Sequence, residues 1–218
     1  MKNIRSIARI GLLATAAGFF AACSVLPPGQ TIDIYRLPAL STGAASQASA
    51  SALVADSAHA ARHSAVLRVA LLESSVALDS AKIVVIPDGD ILSSYRGARW
   101  SDPAPELMRT RLVQAFIADN RIIALKDNNS SIHVDLELGG ELEAFQTEYR
   151  DGKPVVRVRF DATLVDVSGR RVIAVRRFEV LDTPPNPDVP AIVKAFGRAS
   201  DALSIQVVDW ALHAATPT

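Results

Sequence analysis

The chain has 218 residues, 23 basic and 23 acidic side chains, 49% hydrophobic content and one cysteine, a length that suits one domain with extensions. A formal charge of zero supplies no basic face to displace phosphate counterions, so nucleic acid is not an expected partner. A lone cysteine excludes an intramolecular disulfide, and with four histidines and no second cysteine the common structural zinc patterns are excluded as well.

Lys2, Arg5 and Arg9 form a short cationic stretch ahead of an uncharged run from Ile10 to Ala22, the order of a secretory signal. The run is 13 residues, about 20 Å as a helix against a hydrocarbon core of about 30 Å, too short to span comfortably. Phe20, Ala21 and Ala22 are followed directly by Cys23. This order resembles the bacterial lipobox, with Phe20 standing where that pattern has an aliphatic residue. The resemblance implies a signal peptide over 1–22, cleavage before Cys23, and a diacylglyceryl group on its sulfur with acylation of the new amine. Two or three buried chains anchor stably where one is marginal. Ser24 is not the aspartate that marks inner-membrane retention in enteric-type lipoproteins, which favours the outer membrane, facing the periplasm. Residues 23–30 then form an acylated tether containing Pro27, Pro28 and Gly29.

A domain is expected over 31–214. Thr31–Leu37 alternates Ile32 and Ile34 against Asp33 and Tyr35 and predicts a strand stopped by Pro38. Residues 41–65 hold 10 Ala and 6 Ser. They read as a flexible insert, since small side chains bury too little apolar area to offset ordering entropy; an alanine-rich helix is the alternative. Val66–Leu72 and Lys82–Ile86 predict buried strands, and Ile91–Tyr95 another after the turn signal Asp88-Gly89-Asp90. Ser101 and Asp102 before Pro103 predict a helix start. Its apolar stripe is Met108, Leu112, Ala115 and Phe116, with Glu106, Arg109 and Asp119 facing out. Arg121–Leu125 can form a strand before the polar turn Asp127–Ser130.

The second half carries the clearest pattern. Ile132, Val134, Leu136, Leu138, Leu142 and Ala144 share one parity, and Gly139-Gly140 suggests a bend or bulge. Asp151-Gly152 turns into a strand with Val156, Val158, Phe160, Ala162 and Leu164 inward, and Ser168-Gly169 turns into a third over Val172–Val180. Asp188 opens a last helix with Val189, Ile192, Val193, Phe196, Leu203, Val207 and Trp210 at helical spacing, and Lys194, Arg198 and Asp201 elsewhere on the wheel. The expectation is a single α+β domain: a mostly antiparallel sheet with a long three-stranded meander and two packed helices.

No G-x-S-x-G elbow, Gly-rich phosphate loop, H-E-x-x-H or C-x-x-C is present. His59 and His63 are four apart but fall in the Ala/Ser insert, which offers no rigid second shell. His133 lies on the polar parity of a strand. Glu137, Glu141 and Glu143 share a face without visible apolar surroundings to raise a pKa, so they read as a solvated face with Arg157 and Arg159 as cross-strand partners. No enzyme, metal or cofactor is expected.

Taken in order, the lipobox, Tyr35-Arg36-Leu37-Pro38, Leu67-Arg68-Val69, Lys82-Ile83-Val84-Val85, Tyr95 with Arg96-Gly97-Ala98-Arg99-Trp100, Asp102-Pro103, Ala195-Phe196 and Trp210 resemble the ABC-type transport auxiliary lipoprotein components, the family of the paraquat-inducible protein C lipoprotein. The resemblance covers about Cys23 to Trp210; the insert after Leu40 departs from the compact examples. It implies a non-enzymatic partner of a membrane transporter whose periplasmic subunit carries an MCE domain, in a system moving lipid between the inner and outer membranes, with a homo-oligomeric ring as one arrangement. Tyr95, Arg96, Arg99 and Trp100 are the docking candidates, being residue types enriched at interface hot spots. The competing reading places Tyr95 and Trp100, and likewise Trp210, in the core. An adaptor of another envelope assembly or secretion machine, or an envelope hydrolase, are the alternatives. Removing 1–22 takes away three basic and no acidic side chains, leaving 20 against 23 and a formal charge of −3.

Overall fold

The computed structural model describes residues 31–40, 65–126 and 132–216. The signal segment, Cys23, the tether, residues 41–64 with His59 and His63, and the expected turn at 127–130 lie outside the described residues. In chain order the elements are β1 (Asp33–Tyr35), β2 (Val66–Val69), β3 (Glu73–Ser74), β4 (Lys82–Ile86), β5 (Ser93–Trp100), α1 (Ala104–Asp119), β6 (Ile123–Leu125), β7 (Leu136–Arg150), β8 (Lys153–Asp166), β9 (Arg171–Asp182) and α2 (Val189–Ala215).

The predicted meander is formed by β7, β8 and β9, antiparallel throughout. Asp151 and Gly152 both have positive φ, 50° and 72°, the two-residue turn whose twist suits a hairpin. Val156, Val158, Phe160, Ala162 and Leu164 of β8 all point inward and are fully buried. The bend expected at Gly139-Gly140 takes a different form. The strand runs through the glycines, and the register shifts after Leu142, where Glu143 is the extra residue. The bulge turns Phe145 and Thr147 inward in place of the even-numbered set. Gly140 serves close approach: with φ at 128°, a Cβ there would lie 2.0 Å from the Asp161 carbonyl oxygen.

β7 is longer than its neighbours on the other side, and three of them share its second edge. β2 pairs at Leu136–Leu138, β3 at Glu141–Leu142 and β4 at Gln146–Glu148, all parallel. β6 extends the sheet beyond β2 in parallel; β5 lies antiparallel to β4, and β1 parallel to β5. The sheet is therefore mixed, not mostly antiparallel as expected. Side-chain parity reports which face a residue occupies, not which way its neighbour runs, and short apolar runs such as Lys82–Ile86 are silent on direction.

Both helices pack against each other and against one face of this sheet. The α1 stripe Met108, Leu112, Ala115 and Phe116 is buried as predicted. The expected side-chain cap is not made, because Pro103, which has no side-chain acceptor, occupies the N-cap, and Asp102 before it accepts from the Ser101 hydroxyl. At the core centre Phe145 and Phe196 stack at 4.7 Å, with Trp100 edge-on to both at 5.8 and 5.2 Å. Each such ring contributes about 1.5–3 kcal/mol of burial, with a further increment from aromatic geometry. Trp210 is half-buried and meets Phe178 edge-on at 5.5 Å.

Three charged residues expected on the wet face are inside. Arg109 is buried and donates from Nε to the Val69 carbonyl at 2.9 Å and from a terminal nitrogen to that of Lys126. Asp119 is buried with both oxygens taking Arg121. Asp201 on α2 is buried against Arg111 of α1, whose other terminal nitrogen donates to the Pro38 carbonyl. Wheel arithmetic assigns charge to solvent by default; each of these groups instead has partners that only the tertiary arrangement brings.

β1 is shorter than predicted, and its sides are exchanged. Ile32 and Ile34 are 57% and 56% exposed, whereas Tyr35 packs on the core. Past it, Pro38 seats on α2 at Gly197, where a Cβ would come within 3.0–3.2 Å of the ring.

Candidate functional site

The segment singled out in the sequence is β5, and its local geometry follows from one irregularity. Lys82 pairs with Arg99 and Val84 with Ser94, so two steps along β4 are matched by five along β5. Gly97, at φ 68°, sits within the surplus, a conformation L side chains rarely adopt. The result separates the four candidate residues. Trp100 is 1% exposed and forms the core corner described above; its backbone N–H donates to Ala81 and the next N–H, of Ser101, to Tyr35. Tyr95 is half-buried beside Thr147 and Tyr149, and burial pushes its phenol well above the usual range. Arg96 and Arg99 are exposed and have no ion pair among the described residues. The surface that β5 offers is thus the two arginines alone, with Trp100 as their buried root.

Two further residues complete this surface and were not singled out by the sequence. Lys82, exposed and without a side-chain partner among the described residues, lies directly across from Arg99, and Ile34 lies on the other side of it, in register on β1. Like charges directly opposite each other are destabilising in a sheet. The signal that could have found Ile34 is the conflict within β1: Tyr35 and Ile34 cannot both face the core.

A second concavity, about 630 Å³, lies between the chain after β1 and α1, lined in part by Arg36, Leu37, Asp102, Glu106, Thr110 and Lys126. Glu106 is committed to Lys126 and Arg109. The open face of the meander is also a lattice of pairs. Arg157 bridges Glu148 and Glu179, Arg159 joins Glu179, Arg177 grips Asp161 through two bonds, and Glu137 takes Arg68. Arg157 and Arg159 therefore pair with Glu148 and Glu179 instead of the expected Glu137, Glu141 and Glu143. Burial raises the Glu148 carboxyl, but donors from Arg150, Gln146 and Arg157 outweigh it and hold the group below the ordinary carboxylate range. Arg157 does the same for Glu179 and Arg177 for Asp161. His133 is 80% exposed beside Asp135. Among the described residues no cluster of three or more His, Cys, Asp or Glu could hold a metal ion, and no helix is long and apolar enough to cross a membrane.

The model of one protein family, the ABC-type transport auxiliary lipoprotein component, matches residues 46–208. The chain belongs to that family. Among solved structures, this auxiliary lipoprotein component is similar to protein XCC0632 from Xanthomonas campestris, at 27% identity and a TM-score of 0.64, over 71% of this chain and 89% of that one. It also shares its fold with an uncharacterized protein at 15% identity and a TM-score of 0.61, over 83% of this chain and 98% of that one. None of the curated proteins matches it in sequence.

Proposed function

We propose that the protein is a non-catalytic auxiliary lipoprotein of an ABC transport system, anchored through Cys23 in the outer membrane and serving an MCE-domain subunit in lipid movement across the periplasm. The observation that carries this reading is the conjunction of the family match over 46–208 with the order Phe20-Ala21-Ala22-Cys23 at the end of a cationic and apolar leader. The domain supports it in kind. Glu148, Glu179 and Asp161 on the meander are held by arginines that lower their carboxyl pKa values, an arrangement that suits a scaffold and keeps these three groups ionised near neutrality.

Cys23 tests the anchor. Cys23→Ala is expected to abolish acylation, retain residues 1–22 and shift the protein out of the outer-membrane fraction; a processed, outer-membrane-bound variant would sink the assignment. Detergent extraction of the wild type should co-purify a permease, an ATPase and an MCE-domain protein. Co-purification of secretion or assembly components instead would move the protein to another envelope machine.

A further inference from the structure

We infer that the β1–β5–β4 corner of the sheet is a membrane-facing surface that rests on anionic lipid headgroups. Paired positions in a sheet share a face, so Ile34, Arg99 and Lys82 stand side by side across three strands, on the face opposite Trp100. Ile32 continues β1 on the same side and is equally exposed. Arg96 lies on the bulge nearer the start of β1, since Asp33 is already level with Ala98. Three cations thus lie together without an acidic partner among the described residues, next to two exposed isoleucines, in a mature chain whose net charge is −3. Arg157, Arg159 and Arg177 on the meander's open face, by contrast, all meet carboxylates. A surface that combines isolated cations with exposed aliphatic side chains suits the boundary of an anionic bilayer, where the cations meet phosphates and the aliphatics meet the acyl margin.

Chain length supplies the second argument, which rests on the anchoring proposed above. Eight residues separate Cys23 from Ile32, a reach of about 30 Å when fully extended. A compact domain of this length is roughly 40 Å across. The tether therefore keeps the β1 corner within about 30 Å of the anchor, nearer the bilayer than the far side of the sheet can be held, and the cations draw that corner the remaining distance onto the headgroups.

The test uses the mature lipidated protein in vesicles of phosphatidylethanolamine and phosphatidylglycerol with brominated acyl chains. Acylation occupies the Cys23 sulfur, so Ile32→Cys and Val175→Cys each provide the single reactive thiol for a fluorophore. Val175 is exposed on β9, at the far side of the sheet from β1, about 24 Å away at five strand spacings. Quenching at position 32 should exceed that at 175 by about twofold or more, and should fall to the level of 175 in K82E/R96E/R99E or in phosphatidylcholine vesicles. Melting of the triple variant is measured alongside, and Lys82→Gln with Arg96→Gln and Arg99→Gln provides a second variant if the reversal unfolds. Equal quenching at the two positions, or quenching indifferent to the cations, overturns the inference. So does loss of MCE-subunit capture in the triple variant with quenching retained, which would make the corner a protein-docking surface. Failure of the anchor itself is read separately: wild-type protein would then react with maleimide at Cys23 and fail to float with vesicles.

Discussion

Arg111→Met tests whether the buried Arg111–Asp201 pair holds the two helices and the chain after β1 together. The Arg111 and Asp201 side chains are 2% and 7% exposed. Burial pulls the guanidinium pKa down and Asp201 counters it, which fits a pair shielded from water. The substitution removes the buried counter-cation of Asp201 and one donor to the Pro38 carbonyl. Breaking such a pair from one side costs about 3–5 kcal/mol. At about 2–4 °C per kcal/mol for a domain of this size, the melting temperature should fall by roughly 6–20 °C. Urea unfolding followed by tryptophan emission is a suitable assay, because Trp100 and Trp210 both pack against aromatic rings of the folded domain. Asp201→Leu should cost a similar amount. The double variant should recover much of the loss, because well-packed apolar residues can replace a buried ion pair at little net cost. A loss below about 1 kcal/mol in the single variant, or a double variant as unstable as the sum of the singles, would refute the reasoning.

Gly140→Ala should destabilise by well over about 1 kcal/mol, because the new Cβ meets the Asp161 carbonyl, which the β7–β8 ladder holds in place. Gly152→Ala, at φ 72° with nothing within 4 Å, should cost only the left-handed conformational term of about 1–2 kcal/mol; equal losses in urea unfolding would contradict this. Acid should weaken the fold through Glu148, Glu179 and Asp161, whose carboxyls are all depressed in the folded state. Their contribution is complete above the ordinary carboxylate range and is lost as pH falls through the lower folded values. The urea midpoint should therefore decline below about pH 4, and Arg157→Gln should make the decline shallower; an unchanged slope would remove Arg157 from the account.

Much of this fold is legible wherever residues declare a face. All five β8 residues expected to face inward do so, because alternation over 14 positions has one solution, although buried Pro154 at the strand's start is not among them, and Asp151-Gly152 marks its turn by backbone chemistry. The parallel docking of β2, β3 and β4 along β7 is not legible. It depends on partners far apart in sequence, such as Leu67 with Leu136. Arg109, Arg111, Asp119 and Asp201 escape for a related reason: a charge becomes buriable only when a carbonyl or counter-ion from another element meets it. At the candidate site, Arg96 and Arg99 are named by residue type. Lys82 joins them only through the β4–β5 register, and Trp100 leaves them because Phe145 and Phe196 enclose it.

If the protein is anchored through Cys23 as proposed, the seating of Pro38 on Gly197 governs how the domain can stand off from that anchor. A glycine in mid-helix sacrifices about 1 kcal/mol relative to alanine, and here the missing Cβ admits the proline ring. With the Arg111 bond to the Pro38 carbonyl, the chain is rooted before Leu40. In that arrangement only the residues ahead of β1 determine the height of the domain above the bilayer. The Ala/Ser-rich stretch follows that root, between Leu40 and β2. Lengthening or shortening it leaves the height unchanged, whereas each residue added between Cys23 and Ile32 raises the ceiling by about 3.5 Å.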